Sequence, residues 1–221
     1  MNKSFLWKSS AVILIIFSII AGLLWDVPRL PILNETIRNL YFHVTMWFSM
    51  MIILFVSLVY SIRFLSSNKL DHDIVAEEMS KTGVFFGVLG LLTGMLWAKF
   101  TWGVWWINDP KLNGVAVTML IYLAYFVLRN SLSDELKRAR LAAIYSIFAF
   151  VMLIVFLMIL PRMTDSLHPG NGGNPAFSNY DLNNSMRLVF YPAIIGWTLL
   201  GVWIASLRIR IKRIKNTQNI T

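Results

Sequence analysis

The sequence predicts an all-α fold, a polytopic membrane helical bundle of about six transmembrane helices, on three observations. The chain of 221 residues is 57% hydrophobic and only 14% charged, against roughly 45–50% apolar and about 25% charged in a soluble globular domain. The apolar residues are gathered into six runs close to the ~20 residues that span a bilayer. The basic residues between those runs alternate between dense and sparse segments, the pattern that orients membrane helices. Cysteine is absent. That excludes thiol chemistry, cysteine zinc sites, iron–sulfur centres and disulfides, and leaves His, Met, Asp, Glu and Tyr to carry any metal or cofactor.

The first run covers residues 9–25, behind Lys3 and Lys8. It resembles a signal peptide, but no small-residue cleavage site follows, so it reads as a retained anchor. The second run covers 41–65 and the third 82–100. The fourth, 114–128, is short but carries no internal charge. The fifth covers 141–160 and the last 187–207. A basic tail follows the last run. Despite a net charge of +9, that tail reads as a stop signal at the inner membrane surface rather than as a nucleic-acid patch. Residues 1–221 therefore read as a single integral membrane domain with a Trp-rich outer-face loop at 101–113.

With the N-terminus inside, fourteen of the 20 Lys and Arg residues fall on inner segments and six on outer ones. Both termini are then cytoplasmic, and residues 26–40, 101–113 and 161–186 form the outer loops. The stretch His168-Pro169-Gly170-Asn171-Gly172-Gly173-Asn174-Pro175 is turn-rich and unsuited to a helix. Its glycines suggest a hinge beside His168.

The outer face concentrates the unusual residues. The segment Trp102-Gly103-Val104-Trp105-Trp106-Ile107-Asn108-Asp109-Pro110-Lys111-Leu112 has three Trp in five residues. An aromatic belt would populate both membrane surfaces. Here Trp25, Trp47, Trp97, Trp102, Trp105 and Trp106 lie at or near the outer side, against Trp7 and Trp203 near the inner side, with Trp197 inside the last run. Flat indole faces suit a large planar apolar ligand.

Two of the three histidines share that side: His43 at the outer end of the second run, and His168 in the third outer loop. An isolated interfacial His is usually a satisfied polar residue, but two imidazoles on one face are suited to ligate a haem iron axially from opposite sides. His72, between Asp71 and Asp73, reads as a solvated inner residue. Arg38 precedes His43 by five residues, about one and a half helical turns. Arg38 and Lys111 are candidate partners for carboxylates, and Arg162 and Arg187 bracket the His168 loop. Guanidinium groups make paired charge-assisted bonds to carboxylates; snorkelling at the membrane rim is the competing reading. Asp109 in Asn108-Asp109-Pro110 reads either as a backbone cap or as a group that orients a basic residue or contacts a partner.

These residues resemble the CcmC family of cytochrome c maturation, within the haem-handling membrane proteins that carry a Trp-rich "WWD" segment. The family pattern runs approximately W-G-x-[aromatic]-W-x-W-D-x-[R/K]-L. Trp102, Gly103, Trp105, Trp106, Asp109, Lys111 and Leu112 match it. Asn108 stands in place of a Trp, and Lys111 in place of the usual Arg, keeping the charge without the bidentate fork. The stretch from Arg38 to Trp47 resembles the family's Arg-x4-His segment, and Ser166-Leu167-His168 its second axial-ligand segment.

The resemblance implies haem b held at the outer face of the bacterial cytoplasmic membrane. His43 and His168 are then its axial ligands, Trp102, Trp105 and Trp106 a stacking shelf, with Asp109 beside it, and Arg38 and Lys111 propionate partners. It also implies delivery to a haem chaperone of CcmE type beside ABC transporter subunits of CcmA/CcmB type, with no enzymatic step. No nucleotide-binding loop is present to drive transport by hydrolysis. The CcmF and CcsA families use the same segment but are typically longer and richer in histidine. A haem-bearing electron-transfer subunit and a permease with an aromatic belt are the alternatives. Three histidines allow at most one bis-histidine haem, and a permease would be expected to carry more polar groups near mid-bilayer.

Overall fold

The computed structural model describes residues 3–168 and 182–218. Among them there are six helices long and apolar enough to cross a membrane. α1 (Lys3–Leu24) leads through a 3-10 turn (Asn34–Asn39) into α2 (Leu40–Ser67). α3 (Leu70–Trp102), α4 (Pro110–Asn130) and α5 (Glu135–Ile154) follow. α5 continues through a π-helical segment (Val155–Ile159) and a final turn (Leu160–Met163), and α6 (Asn184–Gln218) completes the bundle. The described residues are helix, turn and loop without strands, as the composition predicts.

Small and polar residues recur among the buried positions of the helices, and many large apolar side chains face outward, among them Ile13, Leu92, Leu120 and Val127. This is the pattern expected where the solvent is lipid: apolar surface faces outward without penalty and close contact relies on small residues. α2 and α3 show it most clearly. On α3, Gly83, Gly87, Gly90 and Gly94 receive Leu54, Met50, Trp47 and His43 of α2 in antiparallel order. A Cβ at any of the four would meet its α2 partner within 2.8 Å.

Three departures from the predicted spans have physical causes. α3 begins at Leu70 rather than near Thr82, because the charges at its start are paired. Asp73 accepts two bonds from Arg129 of α4, at 2.8 and 2.5 Å. Glu77 accepts a third from Arg129 at 2.7 Å and another from Lys212 of α6. Glu78 bonds Lys81 at 2.9 Å and Arg208 at 2.7 Å. α6 likewise runs on to Gln218, since its basic tail is the other half of this network; Arg213 bonds Asp71 through two nitrogens, at 2.6 and 2.7 Å. α5 outlasts its predicted end because the π segment widens the helix just before Pro161. A proline without N–H would otherwise clash with the preceding turn. His72, expected to be solvated, is partly exposed and bonds Ser67 Oγ through Nδ1 at 2.9 Å.

The ion network and the histidine pair occupy opposite ends of the bundle.

Candidate functional site

The beginnings of α2 and α4, the end of α3, the π segment of α5 and the loop after it converge on a cavity of about 310 Å³. That is at the small end of ligand pockets, which run roughly 300–1,000 Å³. Its walls are chiefly apolar, with Trp47, Trp97 and Trp106 among them, and among the described residues four with titratable or cationic side chains reach it: His43, Lys111, Arg162 and His168.

His43 sits in the first turn of α2. Its Nδ1 lies 2.9 Å from the carbonyl oxygen of Gly90. A carbonyl only accepts, so Nδ1 carries the proton and Nε2 keeps its lone pair. The Thr93 hydroxyl donates to that same carbonyl at 3.0 Å. Trp47 and Trp97 meet the imidazole edge-on, with centroids 6.1 and 5.8 Å away. Gly94 gives the ring its room, since a Cβ there would lie 2.5 Å from His43 Cε1. The 3-10 turn is fastened to α3 by Trp97 Nε1 donating to Thr36 Oγ1 at 3.1 Å and Asn39 Nδ2 donating to the Thr93 carbonyl at 2.9 Å.

His168 is held from behind by Asp109. Its Nδ1 lies 3.0 Å from Asp109 Oδ1 and donates to that carboxylate. Asp109 caps α4 by accepting from Lys111 N at 2.9 Å. It also accepts from the Ser166 hydroxyl at 2.9 Å and from Leu167 N at 2.8 Å. Both sequence readings of Asp109, as a cap and as an orienting group, therefore describe the same carboxylate. Burial acts to raise its pKa, but the bonds from His168, Leu167 and Ser166 outweigh burial and hold it below the usual carboxylate range. A depressed carboxylate contributes stability above its unfolded value of about 3.9, lost only as pH falls through the folded value. Asp109 thus stays ionised throughout the neutral and mildly acidic range.

The other expected site residues separate. Of Trp102, Trp105 and Trp106, Trp106 alone lines the cavity. Trp102 packs edge-on behind His168, at 5.1 Å between centroids, and Trp105 is 52% exposed. They do not make one shelf, because Gly103, in the left-handed conformation at the end of α3, turns the chain between Trp102 and the other two. Asp109 is 2% exposed and supports the cavity wall without lining it. Arg38 does not line the cavity either: its guanidinium reaches back to the carbonyls of Gly22 and Trp25 at the end of α1 and to Glu35. Lys111 does line it, as does Arg162, which donates to the carbonyl of Met158. Asn108, where the family pattern has Trp, accepts from Asn113 Nδ2 at 2.7 Å. Of the Gly-rich stretch suggested as a hinge, residues 169–175 lie outside the described residues, as does the residue span up to 181. Trp47 and Trp97 were read only as outer-side tryptophans, and the two glycines under His43 were not singled out; the Gly90-x3-Gly94 spacing was the signal available.

The family model described as Heme exporter protein C, CcmC, matches residues 2–220. The chain belongs to the CcmC family. Within the family's range of sequences it is 25% identical over 204 residues to the heme exporter protein C of Haemophilus influenzae, covering 88% of this chain and 79% of that protein. It is 23% identical over 184 residues to that of Escherichia coli K12, covering 80% and 70%. A shorter match, 35% identical over 100 residues, joins 43% of this chain to 29% of the cytochrome c biogenesis protein CcsA of Prochlorococcus marinus. The CcsA match is local, whereas the CcmC match spans the chain, in line with the choice of CcmC over the longer families.

In this CcmC-family chain the seat of His43 is steric, and one substitution tests it. Gly94→Ala is expected to leave the helices intact but displace the imidazole. A protein carrying bound haem would then show an altered absorption spectrum together with a loss of about 1–3 kcal/mol of stability, the range for overpacking. An unaltered spectrum would show that the ring does not depend on this glycine.

Proposed function

We propose that this protein binds haem at the outer face of the cytoplasmic membrane and presents it to a haem chaperone of CcmE type during cytochrome c maturation. Membership of the CcmC family, and relatives named for haem export and cytochrome c biogenesis, support a role in haem handling. The observation that carries the finer reading is the pair of imidazoles. His43 and His168 come from distant segments and line one apolar cavity, each with Nδ1 tied to an acceptor behind it. A histidine whose outer nitrogen is held by a carboxylate or carbonyl is the usual arrangement of a metal-ligating imidazole.

In this reading haem is cargo, not a resident catalyst. The Nε2 atoms of His43 and His168 supply axial ligands, the indoles of Trp47, Trp97 and Trp106 exclude water, and Lys111 and Arg162 meet the propionates. Asp109 and the Gly90 carbonyl act through the histidines. Trp105, turned outward, belongs to the face the chaperone meets. No protein bond is made or broken, so the role is not enzymatic, and ABC transporter subunits of CcmA/CcmB type supply the work of hydrolysis. The whole chain, 1–221, acts as one integral membrane domain with both termini cytoplasmic, the orientation that the Lys and Arg count favours.

Transfer itself is the test. Haem-loaded protein mixed with a purified chaperone of CcmE type is expected to lose its haem spectrum as the chaperone gains one. Trp105→Ala should slow that exchange at unchanged initial haem content. A chaperone that takes haem as fast from detergent solution as from the loaded protein would contradict the presentation role.

A further inference from the structure

At the end opposite the histidines, a cleft of about 440 Å³ opens between α3 and α6 and is lined by Lys81, Thr82, Phe85, Ile204 and Arg208. We propose that this cleft binds the phosphodiester headgroup of an anionic phospholipid, with Lys81 and Arg208 holding the phosphate and Phe85 and Ile204 receiving the start of the acyl chains.

The two helices offer the same order of groups. On α3, Lys81 ends the charged first turns and Phe85 lies one turn deeper into the apolar span; on α6, Arg208 begins the basic tail and Ile204 lies one turn deeper. Residues four apart share a helix face, so each helix presents a cation at the membrane boundary and an apolar side chain just inside it. That is the profile of an amphiphile and not of a free ion. Phe85 is half exposed, and the Lys81 and Arg208 side chains are 35% and 45% exposed.

Their charges are not cancelled. Both cations share the buried carboxylate of Glu78, Lys81 at 2.9 Å and Arg208 through Nε at 2.7 Å. This bond fixes Arg208 by one edge of its guanidinium and draws the two cations together. Lys81 also touches Glu77 at 2.6 Å, but Glu77 is shared with Arg129 and Lys212. Among the described residues the connected cluster thus sets Lys81, Arg129, Arg208 and Lys212 against Asp73, Glu77 and Glu78, four positive charges against three negative. An anion at the cleft mouth completes the balance, and a basic pocket between transmembrane helices is the known setting for such headgroups.

The test uses the full-length protein in detergent, titrated with phosphatidylglycerol or phosphatidylcholine, with bound lipid counted by native mass spectrometry. Phosphatidylglycerol is expected to bind about tenfold or more tightly than phosphatidylcholine. Lys81→Gln with Arg208→Gln should remove that preference, while Lys137→Gln with Arg138→Gln, cations of the same end outside the cleft, should keep it. Because the first pair also touches buried acids, Ile204→Trp, which fills the cleft and leaves both cations, is a second variant expected to weaken phosphatidylglycerol by about tenfold. Equal binding of the two lipids, or undiminished phosphatidylglycerol binding by Ile204→Trp, would overturn the proposal. So would displacement of the lipid by millimolar glycerol phosphate, which would mark a site for free phosphate.

Discussion

Replacing Arg129 with methionine is expected to destabilise the protein by roughly 3–5 kcal/mol, the cost of removing one partner from a buried ion cluster. Arg129 is 3% exposed and donates to both Asp73 and Glu77. Without it these carboxylates, each also below 9% exposure, would face each other with only Lys212 and Lys81 beside Glu77 and none beside Asp73. The loss should appear as a large drop in the midpoint of thermal or dodecyl-sulfate unfolding. Adding Asp73→Asn to Arg129→Met should restore much of it, since the penalty comes from the orphaned charge and not from lost bonds. The exposed pair Asp71–Arg213 provides the contrast: Arg213→Gln is expected to cost no more than about 1 kcal/mol. Equal destabilisation by the two variants would contradict the distinction between buried network and surface pair.

The second large effect is expected at the opposite end. His43→Ala and His168→Ala should each abolish stoichiometric haem retention, whereas Asp109→Asn should weaken it by about 10–100-fold, the scale for a group that orients a metal ligand. The grading follows from the geometry. The histidines line the cavity; Asp109 lies behind one of them and also caps α4. Haem titration of the purified variants would measure it. An Asp109→Asn protein as devoid of haem as His168→Ala would mean that the carboxylate supports the loop itself, not only the ring.

Six apolar runs, their order and the gathering of His43, His168 and the tryptophans toward one end were legible in the sequence, because hydropathy and helix length are local properties. The first twelve residues of α3 were not. Asp71, Asp73, Glu77, Glu78 and Lys81 have the composition of an aqueous loop, and the partners that the four acids find on α4 and α6, at least 52 residues away, allow the helix to start here. The positions of Arg38, away from the cavity, and Arg162, on it, were not legible for a similar reason. The sequence places both near the outer surface, but the end of α1 presents free carbonyls that take Arg38, while the π segment brings Arg162 to the cavity. Asp109 caps α4, as the Asn-Asp-Pro turn suggests, but its bond to His168 is a contact across 59 residues that no local pattern reveals. The tryptophan shelf failed on a single backbone feature, the left-handed Gly103.

The central claim, that one haem is held between His43 and His168, is tested most directly by the optical spectrum and haem content of the protein purified in detergent from haem-replete cells. The account predicts about one haem per chain with a low-spin, bis-histidine spectrum that is lost or shifted in both His43→Ala and His168→Ala. Wild-type protein that contains no haem, and takes up none when haem is added, would contradict it.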